Sequence, residues 1–178
     1  FNGDADGLCA LHQLRLAEPQ RATLITGVKR DIALLDKVSA EPGDELTVLD
    51  VSLHANRKAL LGALRIGARV RYFDHHFAGR IPHHDLLEAH IDTCATVCTS
   101  LIVDRHLGGR HRPWAIVAAF GDNLSAQGYC AAAALGLAHA DTETLRELGE
   151  CLNYNADGAS LADLHFHPAQ LYRRMQPY

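Results

Sequence analysis

The run LTVLDV at 46–51 is apolar except for one aspartate near its end. A run of this kind suits a parallel strand buried on both faces, because an antiparallel strand with one wet face would alternate. Parallel neighbours cannot be joined by a tight turn and need a crossover, and one follows. Ser52 is placed to cap a helix through HANRKALLGALRIG, which Gly67 would stop. RVRYF at 69–73 is the next strand, and it delivers Asp74, His75 and His76. Upstream, NGDADG reads as the end of a strand, LCALHQLRLAE (8–18) as a helix ended by Pro19, and ATLITGV (22–28) as a buried strand. DIALLDKVSA (31–40) reads as a short helix before the turn EPGDE. The expected fold is α/β: a parallel sheet of about five strands with helices on both faces, from right-handed βαβ units. A mainly helical C-terminal part follows, with helices in CATVCTSLIVDRHL, WAIVAAFGDN, CAAAALGLAHA and TETLRELGECLNY. In the first of these, Cys94, Val97, Cys98, Leu101 and Ile102 share one helical face, which assigns both cysteines to packing.

At 178 residues the chain suits one domain with a real core. The expected catalytic domain spans 1–155, and 156–178 is a linker or the start of a second, substrate-binding domain. The chain opens at Phe1 on what reads as a strand end, so a fragment of a longer protein is expected. No apolar run approaches the roughly 18 to 20 residues a membrane helix needs, and no signal-peptide pattern is present, so no membrane partner is expected. Five cysteines, an odd number without CxxC spacing, point to a reducing cytoplasm. A formal charge of −4 argues against a surface that is one basic nucleic-acid footprint. Most of the 12 histidines are scattered among polar neighbours and read as surface, and HFH at 165–167 reads as linker or surface. Trp114 reads as packing, and Thr96 and Ser100 as helix-capping or packing residues.

In an open parallel sheet, ligands bind outside the carboxyl ends of the strands. The strand ends here carry Asp4 and Asp6, then Asp50, then Asp74 with His75 and His76, while Asp122 ends an apolar segment further on. Carboxylates gathered at one rim repel unless they take up protons or a cation. With imidazoles and without thiolates, this set suits Mn²⁺ or Mg²⁺, with Co²⁺ or Zn²⁺ also able to bind. Its size suits two ions sharing a bridging carboxylate. Singly the pieces have simpler readings: DADG can be a turn opening a helix, and Asp50 a cap.

NGDADG, VLDVSL, YFDHHF and AAFGDN, in this order, resemble the four motifs of the DHH phosphoesterases, over Phe1 to about Asn123. That superfamily includes RecJ-type exonucleases, small-oligonucleotide and phosphoadenosine phosphatases, cyclic dinucleotide phosphodiesterases, exopolyphosphatases and family II pyrophosphatases. The resemblance implies two metal ions. Asp4 would hold the first, Asp6, His75 and Asp122 the second, and Asp50 would bridge them. His76 would meet the substrate phosphate, Asp74 would orient the motif, and Asn123 is a candidate substrate contact. A metal-activated water would attack phosphorus in line, with no protein nucleophile. Asn2 stands where RecJ-type exonucleases often carry an aspartate, which weakens the exonuclease reading. The first-metal histidine of many members would fall just ahead of Phe1, and no glycine-rich motif of their second domain occurs before Tyr178. The expected activity is hydrolysis of a phosphodiester or phosphoanhydride bond in a small phosphorylated molecule, a nucleotide or short single-stranded oligonucleotide, with RecJ-like exonuclease or exopolyphosphatase activity as alternatives; few aromatics, 6%, suit no long stacking platform. A receiver-like signalling module with Asp50 as phosphoacceptor, or an inactive metal-binding scaffold, are the alternatives from other classes. Oligomeric state is left open.

Overall fold

The computed structural model of the protein describes residues 1–178. Its sheet has three parallel strands in the order β1 (Glu45–Leu49), β2 (Arg69–Asp74), β3 (Leu87–Ile91). Helix α1 (Ala5–Ala17) precedes the sheet, α2 (Arg57–Arg65) crosses from β1 to β2, and α3 (Thr99–His106) follows β3. The rest is helical: α4 (Arg112–Gly121), α5 (Ser125–Ala134), α6 (His139–Asn155) and α7 (Pro168–Met175). No helix is long and apolar enough to cross a membrane.

The alternation of the strands divides the core in two. Val48, Val70 and Tyr72 point to one face, where Leu60 and Leu64 of α2 and the 3₁₀ turn Leu34–Lys37 cover them. Leu49 and Phe73 point to the other, against Leu8, Leu11 and Leu14 of α1, Ile102 and Val103 of α3, and Val117 and Ala118 of α4. Tyr172 and Met175 bring α7 into the same cluster. His12 lies wholly inside it, edge-on to Trp114 at 4.5 Å, without a partner for either ring nitrogen. Burial pushes this imidazole down to about 4, so it packs as a neutral ring.

The sheet is thus smaller than the five strands expected. The 22–28 segment is not a strand. It touches the sheet region through one parallel bridge, Asn2 to Gly27, while the Asn2 amide donates to Leu49 O. Between Leu24 and Ile25 on one side and Leu46 and Val48 on the other lies a cavity of about 590 Å³, and the pairing stops at Ile25, whose carbonyl accepts from the Phe1 ammonium at 2.9 Å. An apolar, β-branched sequence makes a strand only where another backbone lies alongside it. Conversely, LEAHI at 87–91 is β3, a strand that the apolar-run criterion passes over because it alternates around Glu88 and His90.

Two helices are shorter than their periodicity. DIALLDKVSA yields only the 3₁₀ turn, because the Leu35 amide is taken by the Asn56 side chain, 3.1 Å away. The stripe beginning at Cys94 becomes a helix only at Thr99, so Cys98 is buried as expected but Cys94 is exposed and contributes nothing to packing. What starts α3 at Thr99 is a carboxylate from the other end of the chain.

Candidate metal centre

Asp6 sits in the first turn of α1, yet its side chain caps α3. Its two carboxylate oxygens accept from the Thr99 and Ser100 amides, each at 2.7 Å, and Ser100 Oγ donates to the Asp6 carbonyl at 2.8 Å. The amides that a helix leaves unpaired at its start thereby hold a negative charge in a fully buried place. Thr99 Oγ1 donates to Asp50 Oδ1 at 3.0 Å. Asp50, just past β1, has a positive φ of 59°, a conformation disfavoured for non-glycine residues. The turn places its buried carboxylate beside the others.

Asp4 caps α1, accepting from the Gly7 amide at 3.1 Å. The simpler reading of DADG as a helix-opening turn is therefore correct, and the turn also faces the cleft: Asp4 lines a cavity of about 130 Å³ with Asp50, His75, His76 and Asp122. Gly7 permits this, since a Cβ there would lie 2.1 Å from Asn2 O.

His75 donates from Nδ1 to the Val97 carbonyl at 2.9 Å. That bond leaves Nε2 facing Asp50 Oδ1 at 3.5 Å, Asp122 Oδ2 at 3.8 Å and Asp6 Oδ2 at 3.9 Å. These are too long for good hydrogen bonds. Metal–ligand bonds of about 2.0–2.2 Å set donor atoms roughly 3 to 3.5 Å apart, so small side-chain movements would bring this set around one ion. Asp6, His75 and Asp122 form one group of converging donor atoms, and Asp50, His75 and His76 another.

His76 lies beyond, 43% exposed, with Nδ1 bonded to Asp74 Oδ1 at 2.7 Å. The hydrogen bond that His76 donates to Asp74 raises the pKa of His76 against the effect of burial, with Asp6 and Asp122 adding to the rise. Asp74 is wholly buried and also accepts from the Leu53 amide at 3.3 Å, so it is a fixed anchor for the His76 ring. Asn123 is exposed, in a left-handed conformation (φ 60°), and does not line the cavity.

Electrostatics carries the cost of this grouping. Burial first, then Asp6 and Asp4, raises Asp50 well above the usual carboxylate range. Burial and Asp6 likewise push Asp122 up to about 6, against the pull of His75. One cation faces the acids, and it is absent from the sequence reading. Lys29 Nζ lies 3.2 Å from Asp4 Oδ2 and 3.8 Å from Asp122 Oδ1, and donates to Asn153 Oδ1 of α6 at 2.9 Å. Burial lowers the pKa of Lys29, but Asp4, Asp122 and Asp50 outweigh it and the net shift is upward. No motif marks Lys29; only its place after the apolar stretch at 22–28 hinted at the rim. Thr99 and Ser100 were read as helix residues, and their contacts with Asp50 and Asp6 were missed.

A comparison with known protein families, with curated proteins and with solved structures finds no match for this chain.

Proposed function

We propose that the protein is a divalent-metal-dependent phosphoesterase. The observation that carries this reading is the aim of His75 Nε2 at three carboxylates, with its other nitrogen already committed to a backbone carbonyl. Carboxylates gathered around one imidazole nitrogen repel one another until a cation joins them. Oxygen-rich donors with an imidazole and no thiolate fit Mn²⁺, Mg²⁺ or Co²⁺. Asp6, Asp50, His75 and Asp122 would hold one ion, and Asp4 with Asp50 would contribute to a second after Lys29 withdraws. When bound, such ions supply Lewis acidity, making an attacking water acidic and neutralising charge on phosphoryl oxygens.

The residues of the chain do the rest. His76, whose pKa Asp74 raises, donates to a phosphoryl oxygen at the open side of the cleft. The α3 amides hold the Asp6 carboxylate in place, so the site does not reorganise as charge develops. Phe77, next to His76, is 68% exposed, with the His54 ring 5.1 Å away. An aromatic face beside a phosphate donor favours a nucleotide or short oligonucleotide over polyphosphate. Five free cysteines, three of them exposed, support a reducing, cytoplasmic setting.

The test is Asp50→Ala in the intact protein, assayed for Mn²⁺-dependent hydrolysis of a generic phosphodiester. Activity should fall by at least about a thousandfold while the circular dichroism spectrum stays that of the folded chain. Wild-type turnover by the folded variant would rule out the proposal. A panel of dinucleotides, phosphoadenosine phosphate, cyclic dinucleotides and polyphosphate would then rank the substrates.

A further inference from the structure

A second cluster of metal-capable side chains lies at the edge of the sheet. Glu88 and His90 are two residues apart on β3 and share one face, and His106 ends α3. Glu88 Oε1 is 2.5 Å from His90 Nε2, and the His90 and His106 rings are 4.7 Å apart. One donor atom from each of the three residues lies within 4.8 Å of the others. We propose that Glu88, His90 and His106 form a second metal site, separate from the acid cleft, that takes a zinc-class transition ion and ties β3 to α3.

The donor set argues for this class of ion. Two imidazoles and one carboxylate form a three-ligand zinc set, with water completing the tetrahedron, whereas the oxygen-rich cleft suits harder ions. The imidazoles are also placed in advance. His90 lies flat on the buried Phe73 ring at 4.5 Å and 8°, and His106 stands edge-on to the same ring at 5.1 Å. Phe73 therefore limits both rings to orientations near each other. Burial, then His90 and Arg71, lower the pKa of His106, which favours the neutral, ligating form. The nearby positive charge of Arg71 is met by Glu18 at 2.7 Å, which reduces its repulsion of an ion. Glu88 and His106 are exposed, so both are free to close the remaining gap. A packing role alone, the imidazoles covering Phe73, requires no metal and no Glu88.

Zinc binding to the full-length protein, measured by calorimetry in excess Mg²⁺ to load the acid cleft, tests the proposal. Wild type should bind one more equivalent of Zn²⁺ than His106→Ala, or bind it at least about 100-fold more tightly, since even an outer-shell partner is worth 10 to 100-fold. Co²⁺ should give a tetrahedral visible spectrum that is lost in the variant. Glu88→Gln, an exposed change, should weaken Zn²⁺ in the same direction and guards against a folding defect in the histidine variant. Equal Zn²⁺ stoichiometry and affinity in wild type and both folded variants would overturn the site. Because Mn²⁺-dependent hydrolysis uses neither Glu88 nor His106, the result is independent of whether the cleft is a phosphoesterase centre.

Discussion

Lys29 and His76 pair with different acids of the cleft and serve it differently. Lys29 neutralises Asp4 and Asp122 in the absence of a divalent ion, so its ammonium competes with metal for those carboxylates. Lys29→Met should therefore lower the melting temperature of the metal-free protein and tighten Mn²⁺ about tenfold, equivalent to about 1.4 kcal/mol. Calorimetric titration showing unchanged or weaker Mn²⁺ binding would remove Lys29 from this role. His76 faces outward on Asp74, so His76→Ala should keep the metal content and reduce turnover by roughly 100-fold. Loss of metal in that variant would make His76 a ligand instead. At this scale, sequence pattern exposed Asp50 and the DHH triplet because each interrupts an apolar strand run. Lys29 escaped because a lysine after a strand-like stretch is indistinguishable from an ordinary surface residue until its neighbours in space are known.

Among the elements, the cleft depends on how closely α4 and α6 approach. A Cβ on Gly149 would lie 2.1 Å from Val117 O, so the two helices touch through backbone. Asp122 caps the end of α4, and Asn153, one turn beyond Gly149 on α6, holds Lys29. Gly149→Ala should wedge the helices apart and cost about 3 kcal/mol, the upper part of the usual overpacking range, as measured by urea unfolding. A stability within 0.5 kcal/mol of wild type, the usual range for surface changes, would show that the helices shift freely. The helical stripes of α1, α4 and α6 were readable from composition and spacing. The start of α3 was not, because the group that fixes it, Asp6, is 93 residues away from Thr99. The strand expected at 22–28 failed for a related reason: strand propensity describes a side chain's fit to a sheet, while hydrogen-bond partners for 22–25 depend on which backbone lies alongside.

For the whole molecule, the grouped acids link metal binding to pH. Asp50 and Asp122 have folded-state pKa values above their unfolded ones, Asp122 at about 6. Between about 4, the unfolded carboxylate value, and 6, the folded state holds the extra proton, so stability from Asp122 falls as pH rises through that window. A divalent ion binds the ionised forms and reverses the loss. Mn²⁺ should therefore raise the melting temperature more at pH 7 than at pH 5, and Asp122→Asn should reduce that difference; equal Mn²⁺ shifts at both pH values would contradict this coupling. Taken by itself, the sequence determined that the chain is α/β with parallel pairing around 46–51 and 69–73, and that acids and imidazoles follow those strands. Local chemistry suffices there, since burial on both faces dictates an apolar run and a strand end dictates where it stops. The tertiary structure decided the three-strand extent of the sheet, the capping of α3 by Asp6, and the placement of Lys29, Thr99 and Ser100 around the acids. Each of these rests on partners distant in sequence, whose meeting is set by packing and by the need to satisfy buried charge and backbone, which no local pattern records.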